Sequence, residues 1–106
     1  MAEISSSVKR KLAAFIGKLN ENGIKPERTY VFGSYAKGVE NRFSDIDVAI
    51  VSSDLTEDRF NERIRLMKIA YDIDRRIEPV PFNFNTFVEE DPLVCEILKT
   101  GKILNL

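Results

Sequence analysis

The sequence predicts a mixed α/β domain in which helices cover a small sheet. Three observations carry that expectation. Apolar residues recur at helical spacing near the N-terminus, three short β-branched or alternating runs follow, and a proline-led apolar segment comes near the C-terminus. The order is helix, strand, small helix, strand, helix, strand, helix.

Val8, Leu12, Phe15, Ile16 and Leu19 share one face of a helix over roughly the first twenty residues. One of Ser5 to Ser7 caps it, and Asn22-Gly23 stops it. Arg28-Thr29-Tyr30-Val31-Phe32 is a β-branched and aromatic strand ending at Gly33. Ser34 to Gly38 reads as a short helical turn, and Val39 to Ser44 as a loop. Ile46, Val48 and Ile50 alternate with Asp45, Asp47 and Ala49, giving the second strand. Thr56 or Asp54 is expected to cap the next helix, with Glu57 and Asp58 in its first turn. Its core stripe reads as Phe60, Ile64, Met67 and Tyr71, widened by Leu66, Ile69, Ala70 and Ile73.

Ile77-Glu78-Pro79-Val80-Pro81-Phe82 is a third strand, and its two prolines favour a sheet edge. Asp91-Pro92 starts a helix with Leu93, Val94, Ile97 and Leu98 as its apolar face, and Gly101 ends it. Lys102 to Leu106 forms a short terminal strand or packs as coil.

A chain of 106 residues with 43% hydrophobic content suits one globular domain, expected to span residues 1–106. The net charge of -1 gives no drive toward direct nucleic-acid binding. Cys95 is the only cysteine, and its apolar helical setting reads as a small buried thiol. The N-terminus lacks the apolar core of a secretory signal, and no run approaches a membrane span, so the expected location is cytoplasmic with no membrane partner. There is no histidine, so a general base must be a carboxylate, a perturbed lysine or a substrate group.

Two features point to chemistry. Gly33-Ser34 follows a strand, where glycine permits close backbone approach and free N–H groups attract phosphate oxygens. Taken alone, an ordinary strand-to-helix turn with Ser34 as its cap explains it better, because Gly-Ser is common. Asp45 and Asp47 are less easily explained by stability. Two positions along a strand put them about 6.6 Å apart on one face, where like charges repel and aspartate is a poor strand former. A hard divalent cation such as Mg²⁺ would compensate for that repulsion.

Gly33-Ser34, ten residues, then Asp45-Ile46-Asp47 before Val48-Ala49-Ile50 resembles the signature of the polymerase β-like nucleotidyltransferase superfamily. Ala36, Gly38 and Ser44 also fit that pattern, as do the Ile77-Glu78-Pro79 strand and the Glu96 to Gly101 segment. The resemblance covers nearly the whole chain and is strongest to the small, minimal nucleotidyltransferases. One departure is Tyr35, where many relatives carry arginine.

The resemblance implies transfer of a nucleoside monophosphate, most often AMP from ATP, with release of pyrophosphate. Gly33 and Ser34 would hold the β and γ phosphates. Asp45 and Asp47 would bind two Mg²⁺ ions, and Glu78 would be the third carboxylate, with Asp72 and Asp74 as rivals at a helix end. Lys37 and Arg42 flank the phosphate turn and could reach triphosphate oxygens, though each also reads as plain surface charge. Only about two dozen residues follow the third strand, too few for a separate acceptor-binding domain. The resemblance therefore points to a helical HEPN-type RNase toxin as partner and acceptor, with this chain as antitoxin. Self-association stays open. So do a docking antitoxin with weak catalysis, and an enzyme acting on a small molecule or RNA beside a separate acceptor subunit.

Overall fold

The computed structural model of the protein describes residues 4–33 and 45–104. Helix α1 spans Ser6–Glu21. Ser5 caps it by accepting from the Val8 amide at 3.2 Å, and Asn22 closes it before Gly23 turns the chain at φ +80°. Strand β1 (Arg28–Phe32) follows, then β2 (Ile46–Val51), helix α2 (Arg59–Tyr71), β3 (Ile77–Phe82), helix α3 (Pro92–Thr100) and β4 (Lys102–Ile103). The turn expected at Ser34 to Gly38 and the loop to Ser44 lie outside the described residues.

The sheet order is β3-β2-β1-β4. β1 runs antiparallel to β2 and β4, while β2 and β3 are parallel. Pro79 and Pro81 sit on an edge strand as expected, because neither can donate to a further ladder. β4 realises the terminal-strand alternative.

Pleating divides the side chains between two apolar layers. On one face, Val31, Ile46, Val48, Ile50 and Ile77 pack with Leu12, Phe15 and Leu19 of α1 and Leu66 and Ala70 of α2. On the other, Tyr30, Phe32, Ala49, Val51 and Phe82 pack with Val94 and Ile97 of α3. The result is an α+β architecture, a mixed four-stranded sheet covered by helices on both faces.

Three sequence expectations are corrected. Asp58, not Thr56 or Asp54, caps α2, accepting from the Asn61 amide at 3.2 Å. Asp54 instead accepts from the Lys25 amide at 2.9 Å. The stripe read as the core of α2 faces outward: Phe60 is 74% exposed, Ile64 39% and Tyr71 36%. Leu66 and Ala70, with Ile69 and Ile73 beside them, make the inward face. Both stripes have helical period, and only the sheet decides which is buried. On α3, Val94 and Ile97 are buried whereas Leu98 is exposed, and Cys95 is only half-buried.

Candidate active site

The site forms where one end of the sheet gathers the end of β1 and the starts of β2 and β3. Antiparallel pairing sets Phe32 opposite Asp47, and parallel pairing sets Asp47 beside Glu78. Asp47 shares its face with Ala49 and Val51, and Glu78 shares its face with Val80 and Phe82, so both carboxylates emerge on the α3 side. Neighbouring strands lie about 4.8 Å apart, which keeps the two within each other's field. Asp45, exposed just before β2, adds a third negative charge.

Gly33 is fitted to this arrangement. Its φ is +72°, a left-handed conformation that side chains disfavour. A Cβ at this position would also collide with the Asp47 carboxylate. The glycine expected to let a ligand approach the backbone thus first lets an aspartate approach it. Ser34, Lys37 and Arg42 fall outside the described residues.

Burial pushes the Asp47 carboxyl above the usual carboxylate range, and repulsion from Asp45, Glu78 and Glu96 pushes it further. Arg63 of α2 partly opposes them. Its guanidinium reaches Glu78 at 3.3 Å. Nothing in the sequence singles out Arg63, because its pairing depends on how α2 crosses β3. Glu96 stands in the sequence only as part of a matching segment, and α3 packing gives it its place in this field.

Among the described residues, no three carboxylates converge tightly enough to cage an ion unaided. The donor set nevertheless fits Mg²⁺, which takes one or two protein carboxylates and fills its remaining positions with water and substrate phosphate. Asp47, raised by burial and like charge and flanked by Asp45 and Glu78, is the group a hard cation would stabilise most.

The rival acids are engaged elsewhere. Asp74 is gripped by Lys11 at 2.6 Å and Arg76 at 3.1 Å, and it accepts from the Arg76 amide at 2.8 Å. These contacts, Arg76 foremost, hold its carboxyl far below the usual range. Asp72 is exposed and lies 3.5 Å from Lys18.

The nucleotidyltransferase domain family matches residues 9–105, so the chain belongs to that family. The protein adenylyltransferase MntA of Shewanella oneidensis is 36% identical over 86 residues, covering 81% of this chain and 58% of that protein. The chain therefore spans little more than half the length of this relative. A toxin–antitoxin structure with AMP-PNP aligns at TM-score 0.64 and 27% identity, over 92% of this chain and 72% of the other. A mutant form of the toxin–antitoxin MntA-HpeT aligns at TM-score 0.59 and 25% identity, covering 92% of this chain and 71% of the other. Among the described residues, no helix is long and apolar enough to cross a membrane.

Proposed function

We propose that this member of the nucleotidyltransferase family transfers AMP from ATP to a side-chain hydroxyl of a partner protein, most suitably a tyrosine on a HEPN-type RNase toxin. The observation that carries the reading is the Asp47–Glu78 register pair beside Gly33, with Asp45 adjoining. A nucleotide substrate and a protein acceptor also accord with the MntA and AMP-PNP relatives. The reading treats residues 1–106 as one cytoplasmic domain.

Each residue has a proposed task. Gly33 and Ser34 hold the β and γ phosphates, with Lys37 and Arg42 adding positive charge. Asp45 and Asp47, joined by Glu78, are the ligands for two Mg²⁺ ions. When bound, Mg²⁺ offsets negative charge on the α-phosphate and the departing pyrophosphate. Glu78 accepts the hydroxyl proton as the acceptor oxygen bonds to the α-phosphorus. The bond from that phosphorus to the bridging oxygen breaks, and pyrophosphate leaves. A phenol, with a pKa near 10, surrenders its proton more readily than an aliphatic alcohol, which suits a site in a chain without histidine.

Intact-mass measurement of the toxin after incubation with ATP, Mg²⁺ and this chain tests the reading. One added AMP, lost with Asp45→Asn, is the expected result. An unmodified but inhibited toxin would mean docking alone. Labelling of RNA ends or aminoglycosides instead of protein would replace the antitoxin reading.

A further inference from the structure

Helix α2 carries one apolar stripe toward the core and a second one away from it. Leu66 and Ala70 point into the core. At about 100° per residue, Phe60, Ile64, Met67 and Tyr71 line up well round the helix from them. They form a straight ridge three turns long, about 16 Å. Phe60 at its head is the most exposed large apolar side chain on the described surface. Isolated exposed apolar residues are ordinary, but a continuous helical ridge marks an interaction face.

The charges around the ridge identify what fits it. Arg63 borders one flank and Lys68 the other, and the Arg75 guanidinium lies 5.8 Å above the Tyr71 ring at its foot. The single acid of α2, Glu62, is buried, accepting from the Thr56 amide at 2.7 Å. Asp58, just before the helix, is engaged in its cap. Asp72, just past the helix, lies beside Lys18 of α1. An isologous second copy would set this cationic rim against itself, which disfavours self-pairing.

We infer that the outer face of α2 docks an acidic amphipathic helix of the partner protein, with Phe60 and Ile64 as anchors and Lys68 and Arg75 meeting its flanking carboxylates. The straight three-turn ridge suits a helix packed along it. Arg63 joins the ridge to Glu78, so a partner seated here lies beside the carboxylate site. The identity of the occupant rests on the partner-acceptor reading above, whereas the surface itself does not.

Calorimetric titration of the HEPN-type toxin into the chain tests the inference. The double variant Phe60→Ser, Ile64→Ser is expected to weaken binding at least ~10-fold, because central aromatic anchors dominate such interfaces. Lys68→Glu should weaken it about 3- to 10-fold and flatten its dependence on salt. Circular dichroism and Mg²⁺-dependent ATP affinity should match the unsubstituted chain in both variants, since these side chains belong to neither apolar layer. Unchanged toxin affinity overturns the docking face while leaving AMP transfer standing. A dimer of the chain that Phe60→Ser dissociates would make a second copy the occupant and overturn it equally. Failure of the unsubstituted chain to bind the toxin would remove both readings together.

Discussion

Asp74 and Asp47 are the same residue type in opposite circumstances, and the contrast sets a carboxylate that the fold satisfies against one that it leaves among like charges. Asp74 lies between Lys11 and Arg76, and its ionised form is favoured. Asp47 lies among Asp45, Glu78 and Glu96, with Arg63 as a partial offset, and its ionised form is penalised. The first carboxylate ties α1 to the turn before β3. The second sits half-buried among like charges at one end of the sheet, with Arg63 as its offset among the described residues. A fold selected for stability alone would not leave such a cluster; a fold that recruits a metal and a triphosphate has reason to.

The largest expected effect tests that division directly. Asp47→Asn should lower AMP transfer at least ~100-fold, whereas Asp74→Asn should leave it within a few-fold wherever the protein stays folded. Intact-mass assays on both variants measure this. Comparable losses in both would erase the contrast.

Gly33→Ala is next. It combines a left-handed backbone with a clash against the Asp47 carboxylate, so a loss of about 1–3 kcal/mol is expected in urea unfolding. Asp47→Asn cannot relieve this loss, because the amide is no smaller than the carboxylate. Recovery of stability in the double variant would show that charge, not space, defines the contact.

Asp74→Ala should cost about 1.5–3 kcal/mol at pH 7, since it removes charge-assisted hydrogen bonds from two cations. Its pH dependence has a definite sign. The folded-state pKa is lowered, so this contribution is fully present above the ordinary carboxylate value and is lost progressively as pH falls from there through the lowered folded-state value. The unfolding free energies of variant and parent should therefore begin to approach each other only below about pH 4 and converge well below pH 3.

The smallest effect runs the other way. The pKa of Asp47 is raised in the folded state, so ionisation costs stability as pH rises through the ordinary value toward the raised one, and the cost is complete above it. Asp47→Asn should stabilise the metal-free chain by a few tenths to about 1 kcal/mol at pH 7, with no gain at pH 3. Destabilisation at both pH values would mean that the carboxylate supports the fold.

Much of this was legible in the residues themselves. The Ser5 and Asp91 caps, Pro92 at a helix start, Gly23 beyond a helix end and the proline-bearing edge strand all depend on contacts within a few positions. Local chemistry is written in local sequence. Period-two alternation likewise puts Asp47 on one face with Ala49 and Val51 without any knowledge of strand pairing, although β2 begins only at Ile46 and Asp45 lies just before it. The expectation of Glu78 over Asp74 rests on resemblance, and strand register sets Glu78 beside Asp47.

What sequence left open was settled by packing between distant segments. Period alone could not choose between the two apolar stripes of α2, and docking on β3 and against α1 buried Leu66 and Ala70 while leaving Phe60 outside. Nor could it foresee Arg63 meeting Glu78 across 15 positions, or Lys11 meeting Asp74 across 63. The sequence by itself determined the order of the described helices and the first three strands, the caps of α1 and α3, the family and the aspartate on β2. The tertiary structure decided which apolar face is buried and which charges meet, because burial and Coulomb energy depend on distance in space rather than along the chain.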